Sequence, residues 1–143
     1  MVLYLEYETF KRRLTDTQNM LDEILCEREE LFAKTQPKSF DYTVERVEGG
    51  EARNKFDEYL IAKEAKQIDE RLEEAKALLE DRRQMLFEKE QELRQSRDVY
   101  DRIYRMRFVD RLKVQRIASM VGYSEASVYR LLKIITIAIE LTQ

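Results

Sequence analysis

A chain of 143 residues with 38% charged residues, three glycines and one proline argues against a sheet-rich or disordered protein and favours long helices. The lone Cys26 excludes an internal disulfide, and no C-x-x-C or Cys/His cluster is present to hold zinc, so no metal and an intracellular, reducing setting are expected. The net charge of −3 divides unevenly, with −8 over residues 1–93 and +5 over 94–143, a basic end on an acidic body that fits nucleic-acid binding confined to one end.

From Leu3 the sequence steps alternately by four and three through Leu3, Tyr7, Phe10, Leu14, Thr17, Leu21, Ile24, Arg28 and Leu31. This is the a/d pattern of a coiled-coil seam, with Arg28 at its one charged position. Tyr4, Tyr7 and Phe10 at helical spacing are expected to be core rather than a ligand box. Pro37 ends the first helix at or before Gln36, and Gly49-Gly50 marks a turn, which leaves a loop over about 35–53. Phe40, Tyr42, Val44 and Val47 within it could form a short extended segment. The heptad resumes at Ile61 and continues through Ala65, Ile68, Leu72, Ala75, Leu79, Arg82, Leu86, Lys89, Leu93, Ser96, Tyr100 and Ile103. Arg82, Lys89 and Ser96 make its second half weaker or differently partnered.

Length sets a constraint. At about 1.5 Å per residue the first helix reaches roughly 45 Å and a second one unbroken to Phe108 roughly 80 Å. Folded back antiparallel, the first covers the second only to about Met85. The remainder then calls for a second copy of the chain, hence a homodimer through the coiled coil. The competing outcome is a break near Gln95–Asp98, with Ser96 capping a new helix.

The last segment, Val99–Leu141, reads as at least three helical pieces with a turn at Val109–Leu112. Val114–Leu132 (VQRIASMVGYSEASVYRLL) has the grammar of a helix-turn-helix. Ala118 is small where two helices cross, Gly122 suits a turn with positive φ, and Ser124 can cap the second helix. Val128 and Leu131 point inward with Ile117. The apolar run IITIAIEL beyond them has apolar residues on every face and is expected to be buried, against its own domain or a second subunit.

The stretch Tyr104–Leu141 resembles region 4 of bacterial sigma factors, through Arg107-Phe108, Asp110, Leu112, Ile117-Ala118, Gly122, Ser124 and Val128. Lys113 departs from the usual Thr or Ser cap, weakening the cap and adding positive charge where phosphates lie. No counterpart of the promoter-melting sigma region 2 is present. With its coiled coil and G-Y-S-x-x-x-V-Y-R ending, the chain is also similar to small ArpU-type proteins of Gram-positive phages and prophages, some of them regulators of late transcription. The resemblance implies DNA binding and raises RNA polymerase as a second partner.

The expected fold is therefore all-α, a long antiparallel coiled-coil hairpin over 1–95 followed by a sigma region 4-like helix-turn-helix over 96–143. Its expected function is sequence-specific regulation of transcription, of phage or prophage type. Ser124, Glu125, Ala126, Tyr129, Arg130 and Lys133 face the major groove of double-stranded DNA. Arg130 can fork onto guanine and Glu125 can accept from cytosine, while Arg111, Lys113 and Arg116 neutralise phosphates. Two other classes compete: a DNA-packaging component like a terminase small subunit, and a module that grips RNA polymerase or another host protein. With no Gly-rich phosphate loop, no nucleophile beside a base and no histidine, neither catalysis nor a cofactor is expected. No signal-peptide pattern opens the chain and no apolar run is long enough for a bilayer, so a cytoplasmic protein of a bacterial host, without membrane contact, is expected.

Overall fold

The seam residues become the buried line of two long helices. The computed structural model describes residues 2–35 and 50–143, and their side chains over 2–34 and 57–143. The described residues are helical and contain no strand: α1 (Leu3–Thr35), α2 (Gly50–Gln95), α3 (Val99–Tyr104), a π-helical turn (Arg105–Val109), α4 (Val114–Val121) and α5 (Glu125–Leu141). Thr35 belongs to α1 and Gly50 opens α2, so the helices reach further into the expected 35–53 loop than Pro37 and the glycine pair suggest. The expectation of an extended segment through Phe40, Tyr42, Val44 and Val47 lies outside the described residues. No described helix is long and apolar enough to cross a membrane.

The chain separates into two compact units, one of Asp16–Glu80 and the other of Met1–Thr15 with Asp81–Gln143. This division differs from the 95/96 boundary, because the first turns of α1 and the last turns of α2 share a core with the C-terminal helices. In the Asp16–Glu80 unit, Ile24 and Leu31 bury against Ile68, Leu72 and Ala75, flanked by Leu21, Ile61 and Ala65. Arg71 forks onto Glu27 (2.7 Å), and Arg28, the charged seam position, turns outward to Asp69 (3.9 Å). Both pairs are exposed, so they fix register more than they add stability.

In the other unit, the polar seam positions of α2 are each answered from α1. Arg82 donates to the carbonyl of Arg13 (2.9 Å). Lys89 reaches Glu6 (3.0 Å) and Glu92 (3.1 Å) and lies over the Phe10 ring. The bond to Glu6 holds its ammonium above the ordinary lysine range. These partners show the two helices antiparallel here and extend the coverage of α2 past Met85.

Helix α2 does not run to Phe108. It stops at Gln95, and Ser96–Asp98 form the break. Ser96 does not cap the next helix: Asp98 occupies that position without a side-chain bond, and the Ser96 hydroxyl donates to Asp101 instead (2.6 Å). The break lets α3 fold back, so Leu93 is fully buried and Leu86 half-buried in the chain's own core. The stretch from Leu86 on is thus covered in part by the chain itself, although Phe87 stays 56% exposed, and the length argument for a second copy of the chain loses its premise of an unbroken helix. The core itself joins Tyr4, Tyr7 and Leu93 to Ile103, Tyr104, Met106, Val114, Ile117, Val128 and Ile135. Beyond it, the end of α5 is not buried on every face: Ile135 is, whereas Ile134, Ile137 and Leu141 are 49%, 46% and 83% exposed.

Candidate nucleic-acid interface

Val114 and, one turn on, Ile117 and Ala118 of α4 enter the core and leave Gln115, Arg116 and Ser119 outside. The helix stops at Gly122, which is left-handed at φ 78°, and the Gly122 and Tyr123 N–H groups both donate to the Ala118 carbonyl (2.9 and 3.1 Å). This left-handed stop is the ending glycine favours. Nothing lies within 4 Å of where a Cβ would sit at Gly122, so the requirement is conformational rather than steric. Two residues later the Ser124 hydroxyl accepts the Ser127 N–H (3.2 Å) and opens α5. Ser124→Ala should lower stability by about 1 kcal/mol, seen as a lower urea midpoint with an unchanged slope.

Helix α5 packs on α3 and α4 through Val128, Leu132 and Ile135, with Leu131 half-buried. The opposite face holds the residues singled out above. Glu125, Ala126, Tyr129, Arg130 and Lys133 fall within about 140° of arc on the helix, and all are exposed, Tyr129 by 60%. Ser124, Arg111, Lys113 and Arg116 are exposed as well. Lys113 stands at the start of α4 with extended backbone and no side-chain cap, the consequence expected of a lysine there.

Some cations of this unit are held by partners, whereas the candidate residues, like Lys11, Arg83, Arg97 and Arg102, have no ion pair among the described residues. Lys89 bonds to Glu6 and Glu92, Arg94 to Glu90 and Asp110, Arg105 to Asp110, and Arg12 to Thr142. Arg111, Lys113, Arg116, Arg130 and Lys133 form no ion pair with the described residues. Only Glu125 and Glu140 supply negative side chains between Arg111 and Gln143, so the charge on this surface is left uncompensated.

The lead-in to α4 is more constrained than the expected turn at Val109–Leu112. The π-helical turn carries the chain to Val109; then Asp110 N–H donates to the Arg105 carbonyl (2.9 Å) and Leu112 N–H to that of Met106 (2.8 Å). Arg111, between them, takes a left-handed backbone at φ 56°, where a side chain is disfavoured. Asp110 is clamped by Arg94 (3.2 Å) and Arg105 (3.8 Å), and Arg107 donates to the Leu112 carbonyl (3.1 Å). The sequence marks Asp110 and Arg107 only as positions of the family resemblance and gives Arg105 no role. Here they hold the loop from which Arg111 and Lys113 project. The charge pattern R-x-R-x-x-D-R signalled that an arginine could fold back on the aspartate, but not which one.

Comparison with protein-family models, curated proteins and solved structures finds no match to the chain.

Proposed function

We propose that the chain binds double-stranded DNA and regulates transcription in the manner of phage and prophage regulators, with α4 and α5 acting as a helix-turn-helix. The observation that carries this reading is the set of five exposed cations on α4, α5 and their lead-in that have no carboxylate partner. Leaving that many like charges uncompensated disfavours the folded state, and phosphate is a counter-charge that Lys and Arg side chains fit. Arg111, Lys113 and Arg116 position the module on the backbone, and the first turns of α5 present Ser124, Glu125, Ala126, Tyr129 and Arg130 to base edges, with Lys133 behind them.

The test is selection from a pool of native genomic fragments, followed by anisotropy titration on any fragment enriched. The wild type is expected to enrich one or a few fragments with steeply salt-dependent affinity. Tyr129→Ala/Arg130→Ala/Lys133→Ala, with unchanged helicity, should lose at least about 100-fold in affinity for the selected fragment. Arg116→Ala should weaken all fragments alike and lower the salt slope by about one. Equal, unselective retention of wild type and triple mutant at low salt would remove the proposal.

A further inference from the structure

The second half of α5 carries a surface that DNA reading does not use. Ile134, Ile137 and Leu141 are 49%, 46% and 83% exposed, and they follow one another by three and four residues, so they form one stripe along the helix. Single exposed apolar residues are ordinary; three in register on the last turns of one helix are a seam without a partner. Arg12 holds that end in place, donating to the Thr142 carbonyl (3.3 Å) and to its hydroxyl (3.4 Å), so Leu141 continues the line set by Ile134 and Ile137. Cation donors at a helix C-terminus satisfy its free carbonyls.

The charges beside the stripe indicate what covers it. Lys133 and Glu140 lie one heptad apart on the same flank, opposite in sign, and neither forms an ion pair within the described chain. In a heptad numbering with Ile134 and Leu141 at a and Ile137 at d, both occupy g. An antiparallel pair of helices sets g positions against g positions. A two-fold axis beside Ile135 and Thr136 then brings Ile134 of each copy to Ile137 of the other, sets Lys133 of each within reach of Glu140 of the other, and lays Leu141 along the stem of Arg130. A parallel pair would set Lys133 against the uncharged Ala138.

We infer that the stripe Ile134–Ile137–Leu141 is a self-association surface, and that two copies of this chain pair through antiparallel α5 helices with reciprocal Lys133–Glu140 contacts. Such an interface is isologous, each patch serving as its own complement. It is small, so dimerisation is weak and concentration-dependent. Ile134, Ile137 and Glu140 lie outside the groove-facing row, and Lys133, which belongs to both surfaces, is tested for pairing only in the absence of DNA.

Sedimentation equilibrium of the full chain, without DNA and from about 1 μM to about 1 mM, tests it. The wild type should move from monomer to dimer within that range, and Ile137→Glu should remain monomeric with its helicity and urea midpoint unchanged. Glu140→Lys, which sets lysine against lysine, should weaken the dimer about tenfold. Lys133→Glu should do the same, and the double exchange Lys133→Glu/Glu140→Lys should return the constant to within about threefold of wild type, the sign of a direct pair. A wild type that stays monomeric throughout, or a dimer indifferent to Ile137→Glu and to both charge exchanges, overturns the inference. Because no DNA is present, either result leaves the groove-reading proposal to its own experiment.

Discussion

Tyr104→Ala is expected to destabilise the unit that carries α4 and α5 by about 3–5 kcal/mol, the range for removing a large buried aromatic ring. Tyr104 is fully buried, stacked between Tyr4 (5.5 Å) and Phe108 (5.1 Å), with Tyr7 edge-on at 5.9 Å, and its hydroxyl donates to Glu8. One ring thus joins the start of α1 to the helix that leads into α4. Tyr104→Phe keeps the ring and removes only the hydroxyl bond, and should cost about 1–2 kcal/mol, because the half-buried Glu8 can turn to water. The pair also has a pH signature. Burial, then the bond to Glu8, holds Tyr104 far above the ordinary tyrosine value of 10.0. The native protein therefore keeps a proton that the unfolded chain releases. This contribution is complete below that value and declines above it, by up to about 1.4 kcal/mol per pH unit. Urea midpoints near pH 9 and near pH 11 should thus fall further for the wild type than for Tyr104→Phe. An equal fall in both proteins would mean that Tyr104 ionises freely while folded.

The helices were legible because their signal is periodic. Every described seam position on α2 is buried or half-buried, including Arg82 and Lys89, whose charge argued against them and whose long stems let the heads reach a carbonyl and a carboxylate. The turn at Gly122 and the cap at Ser124 were legible for the same reason: each is a local rule with a local residue to obey it. Three features were less so. The break at Ser96–Asp98 was legible as one of two outcomes but not decided, since it follows no proline or glycine and a seam that continues through Ser96 into Tyr100 and Ile103 reads the same whether the helix runs on or folds back. The left-handed Arg111 has no composition signal, since glycine or asparagine is what that backbone ordinarily selects. The exposed end of α5 was read as buried because periodicity reports which faces are apolar, not how many neighbours are available to cover them. Residues that a sequence marks as apolar all round, and that one chain buries on only one side, are where an intermolecular contact is best sought.

Asp101→Ala should be the most damaging polar substitution among the described residues, at about 2–4 kcal/mol, although aspartate there suggests only an exposed helix start. Its side chain is 4% exposed, between two elements that need it. One oxygen accepts the Tyr4 N–H (3.2 Å), so a residue of α3 caps the first turn of α1 from 97 positions away. The other accepts the Ser96 hydroxyl (2.6 Å), and Ser96 in turn accepts the Asp98 N–H (3.3 Å), which shapes the break that lets α3 return. Carboxylate charge suits the N-terminal end of a helix, and its loss leaves a buried N–H without a partner. Asp101→Asn retains an acceptor for Tyr4 and an amide that can donate to Ser96, and should cost about 1 kcal/mol. Native-state hydrogen exchange separates this role from general loss of packing: in Asp101→Ala the amides of residues 4–7 should lose protection first, with those of α5 following only through global unfolding. A uniform loss across both helices would assign Asp101 to the core as a whole. If α1 loosens first, its Arg12 contact with Thr142 loosens with it. Self-association through Ile137 should then weaken in Asp101→Ala, while fragments selected through Tyr129 and Arg130 remain bound.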